Sequence, residues 1–198
     1  MEEEWKSLES LGFPQYELSN YGQVKNAYGK ILKMSPNQEG IVRVGLMKAE
    51  EGRQVTCSAV RLVARMYVEG RSATFDTPIQ LNGVRTDLRA ENIMWRPRWF
   101  AIRYFQQFED SEEPEYALKI YDVETSEQYA NSREAAMKNG LLEEAVTKSV
   151  VNGSPCFPTW QRFARVSHSV LSRERFADYD RRGVHMLFLF VREMGVRC

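Results

Sequence analysis

The run from Ala130 to Val150 constrains the fold more than any other part of this chain, because it carries a start, a stop and a restart for helix. Asn131 and Glu134 can form a capping pair at the start of a helix over Ser132-Arg133-Glu134-Ala135-Ala136-Met137-Lys138. Asn139-Gly140 ends it, since both residues tolerate a left-handed backbone. A second helix restarts at Ala145-Val146-Thr147-Lys148-Ser149-Val150, and the small Ala135 and Ala136 let it cross closely. The order is helix-turn-helix.

The first half of the chain reads differently. Tyr16 and Leu18 alternate with Glu17 and Ser19 as in a short strand, Asn20-Tyr21-Gly22 is a turn, and Val24 resumes a strand. Ile41 to Leu46 and Gln54 to Cys57 alternate again, which predicts a β-hairpin across residues 49–52. From Ser58 to Val68, Leu62, Val63, Met66 and Tyr67 recur at helical spacing as core, with Arg61 and Arg65 one turn apart on another face. Phe108 to Glu115 is acidic and proline-interrupted, so it marks a linker that faces solvent or a protein partner. The expected class is α+β in small modules: a β-rich segment over 1–50, a mixed segment over 51–107, the linker over 108–116, a helix-turn-helix module over 117–166, and an extension over 167–198.

Composition excludes several functions. Hydrophobic residues at 43% and aromatics at 12% indicate a folded protein, and the net charge of zero gives no overall attraction to nucleic acid. Charge is uneven, however. Between Arg53 and Arg103 arginines outnumber the acidic Glu69, Asp76, Asp87 and Glu91. Trp95, Trp99, Phe100, Tyr104 and Phe105 interleave with Arg96, Arg98 and Arg103, a mixture that suits nucleic acid. The rings read as core; Arg85, Arg89, Arg96 and Arg98 read as facing DNA. The three cysteines have no Cys-x-x-Cys spacing, which argues against a zinc site or disulfide framework. His168 and His185 have no carboxylate at catalytic spacing and read as structural. Arg173, Arg175, Arg181 and Arg182 form a diluted basic patch before the apolar run from Val184 to Val191. The start, Met-Glu-Glu-Glu-Trp-Lys, lacks the basic and apolar regions of a signal peptide, and Met186 to Val191 is too short to cross a bilayer. A soluble, cytoplasmic protein is the expectation.

Three stretches resemble the HNH homing endonucleases of phage and organelle introns. Trp5-Lys6, Gly12-Phe13-Pro14, Tyr16-Glu17-Leu18-Ser19-Asn20 and Gly22-Gln23-Val24 are similar to the modular DNA-binding motif at the front of those enzymes. Leu81-Asn82-Gly83, Arg85-Thr86 and Glu91-Asn92-Ile93-Met94-Trp95 resemble their metal-site loop. Ile120-Tyr121-Asp122-Val123-Glu124-Thr125, Ser132 to Gly140 and Trp160-Gln161-Arg162-Phe163 look like the intron-encoded nuclease repeat. The resemblance implies a degenerate ββα-metal fold between two DNA-binding modules. It also implies that the chemistry is lost. The metal-binding Asn or Asp falls on Ile79, the general-base His on Gln80, the second ligand on Ala101 and an upstream His on Val60. An isoleucine lacks the carboxylate or carbonyl oxygens a hard cation wants, and a glutamine amide cannot abstract a proton from water near neutral pH. Asn92 remains, expected to hold the loop by hydrogen bonds.

No cofactor and no metal are therefore expected, and the partner is double-stranded DNA. Contacts are expected from Lys25, Lys30, Lys33, Arg43, Arg85, Arg89, Arg96 and Arg98, and from the second helix of the helix-turn-helix through Thr147, Lys148 and Asn152, with Glu143 and Glu144 beside them. The implied role is a non-cleaving, sequence-selective regulator of transcription in a phage or mobile element. Two alternatives stand beside it: a scaffold that grips a polymerase, nuclease or virion protein, and a nicking enzyme with ligands relocated to Asn82, Asp87 and Asn92.

Overall fold

The computed structural model describes residues 2–110 and 113–166. The extension with its two histidines, its arginines and its apolar run lies outside the described residues. Among those described, no helix is long and apolar enough to cross a membrane.

Alternation of apolar and polar residues builds the first half. Strands β1 (Trp5–Leu8), β2 (Phe13–Ser19) and β3 (Val24–Asn26) form an antiparallel sheet in that order. A second antiparallel sheet contains β4 (Ser35–Pro36), β5 (Val42–Lys48) and β6 (Arg53–Ser58). Helix α1 (Ala59–Tyr67) leaves β6 directly and buries Leu62, Val63 and Ala64. The hairpin β7 (Thr77–Gln80) and β8 (Ile93–Arg96) follows, then α2 (Arg98–Asp110). Beyond the acidic stretch, β9 (Ile120–Asp122) sits between β10 (Gln128–Tyr129) and β11 (Phe163–Arg165), with α3 (Ser132–Asn139) and α4 (Glu143–Asn152) inserted between β10 and β11. The fold is mixed α+β.

The packing divides the chain differently from the sequence pattern. Residue 50 falls in the turn between β5 and β6, which pair from Arg43↔Ser58 to Lys48↔Arg53. Leu8, Leu18 and Val24 share one core with Val44, Leu46, Leu62, Val63, Ile93 and Trp95. The first two modules thus share one packing unit. The linker also starts later than Phe108: α2 continues to Asp110, and Phe108 packs with Tyr104 at 5.4 Å between ring centroids.

The helix-turn-helix forms as its caps dictate. The Asn131 side chain accepts from the Glu134 amide (2.9 Å), the Glu134 carboxylate accepts from the Ala130 amide, and Gly140 ends α3 at φ 59°. Its turn is held by the middle of the chain. Arg96 is 6% exposed, and its guanidinium donates to the carbonyls of Gly140 (2.9 Å), Asn139 (2.7 Å) and Trp95 (2.9 Å). Leu142 and Phe157 complete the contact against Ile79, Phe100 and Tyr104. Truncation of Arg96 to alanine leaves those carbonyls unsatisfied in a dry site; urea unfolding is expected to show a loss of about 3 kcal/mol.

Candidate nucleic-acid interface

The loop between β7 and β8 is closed by its own side chains. The Asn82 amide donates to Asn92 Oδ1 (3.1 Å), Asn92 Nδ2 returns a bond to Asn82 Oδ1 (2.9 Å), and Asn82 Nδ2 reaches Asp87 Oδ2 (2.8 Å). Arg89 grips both Asp87 oxygens, through Nε at 3.0 Å and Nη2 at 2.7 Å. That guanidinium, then the Arg89 backbone amide and the Asn82 side-chain amide, hold the Asp87 carboxyl below the usual carboxylate range. Tyr104 on α2 donates to the Leu81 carbonyl (2.7 Å), and Gly83, at φ 73°, lies against the Phe108 ring where a Cβ would come within 2.6 Å. From the other side the turn at Asn20 braces the loop, its carbonyl accepting from the Ala90 amide (2.8 Å).

A cleft of about 710 Å³ opens between this loop, α1, β7 and α2. Val60, Gln80 and Ala101 line it, and Ile79 lies fully buried in the core beside them. Gln80 is turned so that its amide donates to the Arg85 carbonyl (2.9 Å). These residues do not fit a divalent cation: one neutral amide oxygen among alkyl groups falls short of the several hard oxygens that Mg²⁺ or Ca²⁺ takes. The oxygens of Asn82, Asp87 and Asn92 are engaged within the loop itself. Among the described residues no group of three or more His, Cys, Asp or Glu is placed to hold a metal ion. Burial raises both described thiols, Cys57 and, to about 11, Cys156.

The walls of the cleft carry charge instead. Arg61 on α1, Arg85 on the loop and Arg98 on α2 line it, with Glu39 and Glu109 also present. Among the described residues none of the three arginines has a carboxylate partner within ion-pair distance. Arg85 lies over the Phe105 ring at 3.9 Å from its centroid, which holds the guanidinium without neutralising it.

The other expected contacts separate by partner. Lys30, Lys33 and Arg43 are exposed and, among the described residues, make no ion pair; Arg43 stands opposite Ser58, which lines the cleft. Lys25 is bound to Glu17 (2.7 Å) and lies over Trp5. Arg89 belongs to Asp87. Arg96 is a correction: it is buried and spends its donors on backbone carbonyls, so it cannot reach a phosphate. On α4, Thr147 is also a correction, because its hydroxyl is buried. Glu143, 2% exposed, accepts from Ser132 Oγ (2.7 Å), Arg133 Nε (2.7 Å) and the Glu115 amide (2.9 Å), so it too cannot face a base. Lys148 pairs with Glu144, which also meets Arg103 (3.2 Å), and Asn152 accepts from the Ser154 amide (3.0 Å). Arg61 was legible at sequence level only as one of two arginines on a helix face; its place in the cleft needed the fold.

Parts of the chain are similar to known proteins. The uncharacterized HNH endonuclease L247 of Acanthamoeba polyphaga mimivirus is 36% identical over 93 residues, 46% of this chain. The match spans only 23% of the length of that relative. The structure described as DNA binding and cleavage by the HNH homing endonuclease I-HmuI superposes with a TM-score of 0.47 at 22% identity, over 82% of this chain and 98% of that one. No family model matches.

The depressed Asp87 carboxyl links the loop to pH. A lowered folded-state value contributes stability that is complete above the ordinary value of 3.8 and is lost as pH falls through the depressed one. Thermal melts taken below about pH 4 are therefore expected to fall less steeply for Asp87→Asn than for the parent chain, although the variant starts from a lower melting temperature at neutral pH.

Proposed function

We propose that this chain holds double-stranded DNA in the arginine-lined cleft and does not cut it. The observation that carries the reading is the composition of that one cavity: three guanidiniums on its walls that make no ion pair among the described residues, and alkyl groups with a single amide where the resemblance would put a cation and a base. Guanidiniums suit phosphates because their planar donors match phosphate oxygens in pairs. Arg43, opposite the cleft-lining Ser58, adds an exposed cation that makes no ion pair among the described residues. The matched mimivirus protein is called an endonuclease, which agrees with DNA as the ligand. The role is then that of a sequence-selective binder acting on transcription in a phage or mobile element. Phosphate contacts supply its affinity, and selectivity is expected in base contacts or DNA shape.

Duplex binding followed by fluorescence anisotropy across salt tests this. Affinity is expected to fall linearly on a log–log plot against salt, and each of Arg61→Gln, Arg85→Gln and Arg98→Gln is expected to lower the slope by about 0.9. Supercoiled plasmid incubated with Mg²⁺ or Mn²⁺ is expected to stay supercoiled. Nicking that disappears with a chelator would overturn the non-cleaving reading, and a flat salt response would overturn the cleft as the DNA site.

A further inference from the structure

A second feature adjoins the cleft and is not used by it. On α2, Arg98 and Ile102 line the cavity, and Trp99 lies between them in sequence, turned away and 53% exposed. Its ring stacks on Phe157 at 5.4 Å between centroids with planes 29° apart. Phe157 in turn meets Trp160 edge-on at 6.1 Å. The group is anchored inward, since Trp99 and Phe157 both contact Phe100, which is 1% exposed. Trp160 is 63% exposed.

The turn that presents Trp160 is strained and heavily braced. Trp160 adopts φ 62°, in the left-handed region that a bulky residue seldom occupies. Its amide donates to the Cys156 carbonyl (2.7 Å), and Cys156 and Gln161 form a bridge across the turn. Gln161 Nε2 then reaches Asp122 Oδ2 (2.7 Å) and Asn139 Oδ1 (3.1 Å), while Cys156 Sγ donates to the Ala145 carbonyl (3.3 Å). Strain of this kind persists only where the surroundings enforce it, and it clusters at ligand sites. Here it holds a large ring in water.

We propose that Trp99, Phe157 and Trp160 form a stacking platform for unpaired or unstacked bases of the DNA strand that leaves the arginine-lined cleft. The inference rests on the reading that the cleft holds DNA. Nucleic acid fits better than an apolar protein surface because arginines flank the rings along the chain. Arg98 precedes Trp99 and continues into the cleft, and Arg162, two residues beyond Trp160, is exposed with no carboxylate partner among the described residues. Bases offer flat faces to the rings whatever their identity, while the phosphates meet the arginines. A duplex passing the cleft and opening at this edge would exchange base–base stacking for base–tryptophan stacking.

The test uses the full chain with two probes: a short duplex carrying a run of unpaired thymines in one strand, and the same duplex fully paired. Anisotropy is expected to show the interrupted probe bound about tenfold more tightly, with quenching of tryptophan emission. In Trp160→Gly the preference is expected to fall to near unity. Glycine accepts the left-handed backbone without strain, so an unchanged or higher melting temperature reports an intact fold. Trp99→Ala is expected to reduce the preference as well. Equal binding of both probes by the parent chain, or a preference that survives Trp160→Gly, overturns the platform while leaving the cleft in place, and would assign the rings to contact with a protein. Binding of the interrupted probe alone supports the platform and overturns the duplex reading. Binding of neither overturns both.

Discussion

The placement of both halves depends on one buried cation. Arg96, the last residue of β8, turns its guanidinium onto the carbonyls that end α3, at Asn139 and Gly140. Those carbonyls are the orphan acceptors of any helix C-terminus, and a cation there also meets the negative end of the helix dipole. Burial lowers the guanidinium's pKa somewhat, yet an arginine stays charged under such a shift. A charge of this kind removed from water is tolerable only when its donors are satisfied, and the helix end satisfies them. The hairpin is therefore fixed to the helix-turn-helix by a contact that neither half could make alone.

A second buried charge repeats the logic at the start of α4. Glu143 stands where the helix amides are unpaired, and its carboxylate gathers Ser132, Arg133 and the Glu115 amide, while its own amide donates to Gln107 of α2 at 2.8 Å. Together Arg96 and Glu143 turn the helix-turn-helix so that its second helix presents Glu144, Lys148, Val151 and Asn152 outward. That face is electrically mixed, with its lysine paired. Among the described residues, Arg61 on α1, Arg85 on the loop and Arg98 on α2 are cations without a carboxylate partner that line the cleft.

The loop beside the cleft keeps its shape through its own side chains. The Asn82–Asp87–Asn92 network and the Gln80 bond to the Arg85 carbonyl fix the backbone from within, and Tyr104 and Phe108 support it from α2. Hydrogen bonds among side chains of this sort rigidify only when every member is satisfied. Here Asp87 is satisfied by Arg89, so an arginine that in sequence looked available for DNA belongs to the loop.

Local signals were legible where a few neighbouring residues decide the outcome. Asn131, Glu134 and Gly140 set the limits of α3, alternation set β2, β5 and β6, and the spacing of Leu62, Val63 and Met66 set α1. Ile79, Gln80 and Ala101, by contrast, acquire meaning for a cation site only through the resemblance that places ligand positions on them. What one-dimensional order could not reveal was which charges are spent. Arg89, Arg96 and Arg98 are alike in sequence, but one is tied to a neighbouring carboxylate, one is buried against a helix end distant in the chain, and one faces open solvent in the cleft. The sequence by itself determined the local elements; only the tertiary structure decided which of the described arginines lack a carboxylate partner, because that depends on partners brought together across long stretches of chain.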